Sequence, residues 1–439
     1  MNVGTATRAR RDDALEPPRD GSRQSAAAVR TWHAWWFVAR QGVLPWAMLL
    51  VALVSSAVLA TRGAPWRGDL LWIVDWLPIG HVAVAPVVAG AAAIDMARLG
   101  VGVRHIEASR WWRSPGTAVT SAYAIGIGAV YVAVIVGAVL VEPTPEPDPR
   151  VLLGVGVQLL MLTLFAATGT LVGRLFGPVL GGIVAALAAL VGIYLLATRS
   201  EHIALLYAGA SLVSRVGRSY NLVYLGSQAA LLSGLVLALL MARPGIVRGK
   251  GRLMADRTVA LLAVGAVLGA SAVGPSSRLT YTGKPPDLCA DVSGSRVCLY
   301  PEHARLQGEV VAQLSRLFDG ARAAGYDRLV PQEVREVPST GVTSWQGPQI
   351  LLDEPLGGAA MDVEALVQDL VMPYHCFDEN GESPFSDQLA ADAQTLRRTW
   401  LSLVEPEQSS ASEAAGPLLA PGDAAHVMAN LRACGELSR

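Results

Sequence analysis

Seven apolar runs of membrane-crossing length fill residues 43–274, and all four cysteines, Cys289, Cys298, Cys376 and Cys434, come after them. A bilayer core needs about 20 apolar residues per helix. The runs lie near 43–61, 76–95, 118–141, 151–173, 176–197, 221–242 and 258–274. Charged residues make up only 16% of the 439, against roughly 25% in soluble domains, so the deficit points to lipid. The sequence predicts an all-α polytopic membrane domain over 42–274 followed by a small α+β domain with disulfides over 275–439. Disulfides persist outside the cytosol, so the cysteines predict an extracytoplasmic position for that second domain.

Charge supports the division. Residues 1–274 carry 23 Lys/Arg and 13 Asp/Glu, a balance of +10, whereas residues 275–439 carry 12 and 23, a balance of −11. Orientation follows from Lys/Arg in short loops. With the N-terminus inside, cytoplasmic segments hold 17 such residues and outer loops 6: Arg62, Arg67, Arg150, Arg199, Arg215 and Arg218. Seven spans from an inside start leave 275–439 outside, in agreement with the cysteines. Residues 1–28 are polar and read as a disordered cytoplasmic tail. Residues 29–41 put Trp32, Trp35, Trp36 and Ala39 on one helical side and Arg30, His33 and Arg40 on the other. That pattern predicts an amphipathic helix on the inner leaflet, with an extension of span one as its alternative.

Polar groups inside the runs are sparse. His81 and Gln158 are the main ones, with Asp75 and Asp95 at span ends; His81 is expected to bond locally, and no proton relay is visible. Nine tryptophans, among them Trp46, Trp66, Trp72, Trp76, Trp111 and Trp112, fall near predicted interfaces. Gly169, Gly173, Gly177 and Gly181 recur every four residues, and Gly265 and Gly269 repeat the spacing. Small residues at this spacing let helices approach closely; ordinary intramolecular packing is expected, with a homodimer seam as the alternative.

The loop after span two runs from Asp95 through Arg104, Glu107, Arg110 and Arg113 to Pro115-Gly116. It reads as a short charged helix. An N-terminal interfacial helix, six spans and a charged helix between spans two and three resemble type-2 ABC exporter permeases. The stretch Arg104…Glu107…Arg110…Arg113-Ser-Pro is similar to the charged inner loop of that class, although Ala108 and Ser109 stand where leucines are usual. The resemblance implies that Arg104, Glu107, Arg110 and Arg113 contact a separate ABC ATPase subunit, and that permeases pair as homo- or heterodimers. A seventh span and an outer domain opening with Cys289 and Arg296-Val-Cys298-Leu-Tyr-Pro301 resemble actinobacterial membrane proteins of this permease-like type. No phosphate loop is present: Gly245-Ile-Val-Arg-Gly249-Lys250-Gly251 has the wrong spacing and lacks the hydroxyl.

In the outer domain, Ala304–Ala324, with Leu306, Val310, Leu314 and Leu317 on one face, predicts a helix. So do Ala360–Leu370, Phe385–Leu403 and Asp423–Cys434; Asp327–Val337 and Gln349–Leu352 predict strands. Cys289 and Cys298 flank a turn at Gly294, which favours a local bridge and leaves Cys376 for Cys434. The rival is metal, with His375, Cys376, His303 and His426 as donors, but the tight cysteine spacing of structural zinc is missing. There is no His-Glu-x-x-His and no Gly-x-Ser-x-Gly. Asp353, Glu354, Asp378 and Glu379 read as a solvated acidic face. The −11 charge disfavours nucleic acid. The expected protein is therefore a multi-pass plasma-membrane permease subunit, neither enzyme nor cofactor carrier. The competing reading is a membrane-anchored extracytoplasmic receptor or assembly protein.

Overall fold

The computed structural model describes residues 34–99, 114–145, 147–198, 214–242, 265, 277–338, 345, 347–352, 362–376, 385–404 and 418–435. The bundle contains α1 (Ala34–Gln41), α2 (Leu44–Ala60), α3 (Leu70–Trp76), α4 (His81–Arg98), α5 (Pro115–Val141), α6 (Val151–Leu175), α7 (Pro178–Thr198) and α8 (Leu222–Met241). Four helices among the described residues are long and apolar enough to cross a membrane: Leu70–Arg98 (α3 with α4), α5, α6 and α8. The bent pair α1–α2 brings the number to five if it is one span, and the apolar stretch Pro178–Tyr194 of α7 is shorter. Seven crossings are thus not reproduced as such. The run 258–274 lies, apart from Gly265, outside the described residues.

Helix starts follow from capping chemistry, in which a side-chain oxygen takes an otherwise orphaned backbone N–H. Asp69 accepts from Trp72 N at the start of α3, Ser114 from Thr117 N at α5, and Asn221 from Val223 N and Tyr224 N at α8. Helix α4 lies against α6 and α7 with almost no side-chain layer between. A Cβ at Gly169 or Gly173 would strike the carbonyl oxygens of Ala89 and Ala93, and Gly90 faces Gly182. Gly169 and Gly173 of the four-residue repeat thus pack helices within one chain, whereas Gly177 has no neighbour within 4 Å of an added Cβ.

Two sequence expectations need correction at the side-chain level. Trp72 and Trp76 do not face lipid; both are 1% exposed and pack edge to face inside the bundle, with the Trp76 indole donating to Val58 O. In α1 the buried face is Ala34 and Val38, while Trp36 points outward beneath the Arg40 guanidinium, 3.9 Å from its ring. Helix α1 leaves α2 at 55° and is not its straight extension.

The C-terminal region is α+β. Strands β3 (Leu288–Val292), β4 (Ser295–Leu299), β5 (Glu333–Glu336) and β6 (Gln349–Ile350) form one sheet in that order. β3 and β4 are an antiparallel hairpin; β4–β5 and β5–β6 are parallel. The two-residue turn Ser293-Gly294 has φ of 50° and 76°, the left-handed conformation that suits the twist of a tight hairpin. Helix α9 (Gln307–Ala323) makes the crossover from β4 to β5 and buries Val310, Leu314 and Leu317 on the sheet side. Helices α10 (Val363–Val371), α11 (Asp387–Ser402) and α12 (Pro421–Arg432) complete the core around Trp400 and Leu431. The hairpin strands were not anticipated from sequence. The cysteine pairs were: Cys289 joins Cys298 across β3–β4, and Cys376 joins Cys434.

Candidate functional site

Among the described residues, buried charge gathers at the seam where the C-terminal domain meets the bundle. Its first part is a clasp. Strand β1 (Arg218–Tyr220), just before α8, pairs antiparallel with β2 (Leu279–Tyr281), which leads into the domain. Below them Asp75 of α3, with no exposed side chain, receives Arg215 at 2.9 Å on one oxygen and Arg278 at 2.5 Å on the other. Removing carboxylates and guanidinia from water is costly unless they pair, so this cluster forms only when loop, helix and domain strand come together.

The second part lies between Asp69 and the domain's first helical turn, Pro301–Leu306. Arg305 donates to the carbonyls of Arg67 and Pro65 and lies 3.6 Å from Glu142 at the end of α5. Gly68, at φ +79°, lets the chain pass so close to Glu302 O that a Cβ would sit 2.7 Å from it. Glu336 of β5 binds both the Tyr300 N–H (2.7 Å) and His303 Nδ1 (2.5 Å). Asp69 Oδ2, Glu302 Oε2 and His303 Nε2 are buried with no hydrogen-bond partner among the described residues.

Electrostatics tie these atoms together. Burial pushes Asp69 up to about 6 against the favourable influence of Trp72 N and His303. Burial, then the Asp69 charge, raises Glu302 to about 7. Burial pulls His303 down, but the charge and hydrogen bond of Glu336 outweigh it, and the imidazole is net raised. Beside this seam a cavity of about 200 Å³ is lined by Tyr281, Lys284, Tyr300, Arg335, Glu336 and Trp345. Arg335 stacks 3.8 Å over Trp345 and pairs with Glu333 at 2.8 Å.

Of the residues singled out in the sequence, Arg104, Glu107, Arg110 and Arg113 lie outside the described residues. His303 is in the seam, oriented by Glu336. His375 is elsewhere: its Nε2 is 3.1 Å from Arg432 O and 3.5 Å from the Cys376 sulfur. His375, Cys376 and Cys434 are the described donors that converge within 4.8 Å, yet the two sulfurs are bonded to each other. His81 has no hydrogen-bond partner for Nε2 among the described residues, and its ring centroid lies 6.0 Å from that of Tyr131. Gln158 instead bridges Tyr131 OH and Val74 O. Asp69, Glu302 and Glu336 were not picked out in the sequence; the one available cue was Asp69 standing as a cap before the apolar Leu70. Comparison with family models, curated proteins and solved structures finds no match to this chain.

Proposed function

We propose that this chain is the membrane-spanning permease subunit of an ABC-type exporter, working with a separate cytoplasmic ATPase and carrying its C-terminal domain on the extracytoplasmic side. The carrying observation is the elbow at the start of α2. Asp95, near the end of α4, accepts hydrogen bonds from Val43 N (2.7 Å), Leu44 N (3.3 Å) and Tyr123 OH (2.8 Å). A Cβ at Gly42 would press on the same carboxylate, 2.5 Å from Oδ2. One side chain thus fastens α4 to the α1–α2 bend and to α5. It stands nine residues before Arg104, where the charged loop begins. Force applied to that loop reaches α4 at one end and α5 at the other, and Asp95 couples both to the α1–α2 bend. That is the linkage an ATP-driven permease needs, and the resemblance assigns the loop to ATPase contact.

A seven-crossing topology with inside N-terminus fits this reading. Arg174 at the end of α6 donates to Ala242 O beyond α8 and to Ser114 before α5, so these ends lie together. Asn221, at the opposite end of α8, bonds Arg278 O. Between 242 and 277 the chain therefore changes ends, and the apolar run 258–274 lies in that interval. The charge balance and the cysteines favour the 277 end as the outer one.

The test is co-purification from the native host. An ATPase subunit should accompany the wild-type chain, and the double charge reversal Arg104→Glu/Arg110→Glu should release it without lowering the melting temperature. Retention of the ATPase by that variant would refute the loop assignment. A second reading, an anchored receptor, is favoured by the cavity lined by Lys284, Arg335 and Trp345. It predicts that no ATPase accompanies the chain at all.

A further inference from the structure

We propose that the seam between the C-terminal domain and the helix bundle is a proton-operated latch, closed when Asp69 and Glu302 are protonated and loosened as they ionise. The proposal holds for either functional reading above.

Geometry carries it. Asp69 belongs to the bundle and Glu302 to the domain, so their mutual repulsion acts directly across the joint. Asp69 is 3% exposed; its Oδ1 accepts from Trp72 N, the Leu71 N–H also favours the carboxylate, and Oδ2 has no hydrogen-bond partner among the described residues. Glu302 Oε2 is likewise orphaned, and Gly68 brings the bundle and domain segments close together at this point. A buried acceptor with no donor is costly. A carboxyl that keeps its proton escapes the charge penalty. A metal ion is the other way to neutralise two carboxylates. Among the described residues, however, three donors converge at His375, Cys376 and Cys434, and Asp69 and Glu302 belong to no such group of three.

Other charges face the same seam. Arg215 and His303 act on Asp69, Glu336 and His303 on Glu302, and Arg305 on His303. Tyr220 feels Asp69, and Glu142 pairs with Arg305. Arg215 is engaged by Asp75, and Arg305 by Glu142 and two carbonyls; the orphaned oxygens of Asp69 and Glu302 receive a hydrogen bond from neither. Glu336 is spent on Tyr300 N and His303.

The sign is the same for all three titrating groups. Asp69 rises from 3.8 to about 6 and Glu302 from 4.5 to about 7 in the docked state. A carboxyl raised in this way favours docking fully below its undocked pKa. That contribution declines as pH climbs and is gone once pH passes the docked value. His303, also raised, contributes below its undocked value and loses that contribution as pH rises through the docked one. Docking therefore weakens steadily from about pH 4 to above pH 7.

Hydrogen exchange on the full chain in lipid nanodiscs tests this, with rates corrected for intrinsic exchange. The readouts are peptides spanning 63–70 and 299–308. A group whose proton affinity differs tenfold between the docked and undocked states changes the docking equilibrium by up to about tenfold. Seam opening should therefore increase by about tenfold or more between pH 5 and pH 8. The isosteric double variant Asp69→Asn/Glu302→Gln should lose most of that rise. Asparagine still caps α3, so the variant should keep its fold, with exchange in α9 as the internal control. A smaller rise in the wild type, or an equal rise in the double variant, overturns the proposal. Seam opening on adding a chelator at constant pH would also overturn it, by assigning the joint to a metal.

Discussion

Single side chains hold this molecule together at places where burial leaves them no substitute. Asp75 is the clearest. It has two guanidinium partners from segments 140 and 203 residues away, and its own side chain is fully buried. Breaking a buried pair by removing one partner strands the other charge, at about 3–5 kcal/mol. Asp75→Asn keeps the shape but strands two arginines whose side chains are 12% and 15% exposed. The expected outcome is a loss of roughly 3 kcal/mol or more, read as a fall in melting temperature of the detergent-solubilised protein. Exchange should rise first at β1 and β2. Asp75→Ala/Arg278→Leu should recover part of the loss, because it leaves one stranded arginine, Arg215, in place of two.

At the scale of elements, the two disulfides do unequal work. The Cys289–Cys298 bridge spans 9 residues and joins strands already paired in one hairpin. The Cys376–Cys434 bridge closes 58 residues and ties the turn after α10 to the end of α12. Loop-closure entropy gives about 4 kcal/mol for the long loop and about 2.5 for the short one. Cys376→Ser/Cys434→Ser should therefore lower the domain's denaturant midpoint more than Cys289→Ser/Cys298→Ser; the reverse order would show that strain or residual structure dominates. The elements themselves were unevenly legible in the sequence. Apolar runs and α9 were readable because length and a helical repeat are local properties. Strand β3 was not, since Leu288–Val292 has only its last residue fully buried and shows no clean alternation. The seam was not readable either. Arg305 meets the carbonyl of Pro65 across 240 positions, and nothing local to Asp69, Glu302 or Glu336 marks them as neighbours. The cysteine pairs were readable only because the turn at Gly294 made the local bridge natural and left one pairing for the other two.

For the whole molecule, the decisive question is which ends of the bundle share a side of the membrane. Ser114, Arg174 and Ala242 meet at one end. Asp75, Arg215, Arg278 and the C-terminal domain meet at the other, where Arg150 of the α5–α6 loop also bonds Ser219. Helix α8, 20 residues long, separates the two by about 30 Å at 1.5 Å per residue, close to the hydrocarbon thickness of a bilayer. The arrangement makes a paired prediction. Both native cysteine pairs are bonded, so a single added thiol reports alone. Asp148→Cys, in the loop on the domain side, should label with a membrane-impermeant maleimide in intact cells. Gly177→Cys, between α6 and α7 at the far end, has no neighbour within 4 Å of an added Cβ and should label only after permeabilisation. The inverse pattern would place the domain in the cytosol, where disulfides are rare, and would remove the physical reason for two of them. Labelling of both sites in intact cells would mean that the ends do not straddle a bilayer, and the membrane reading of α5, α6 and α8 would fall with it.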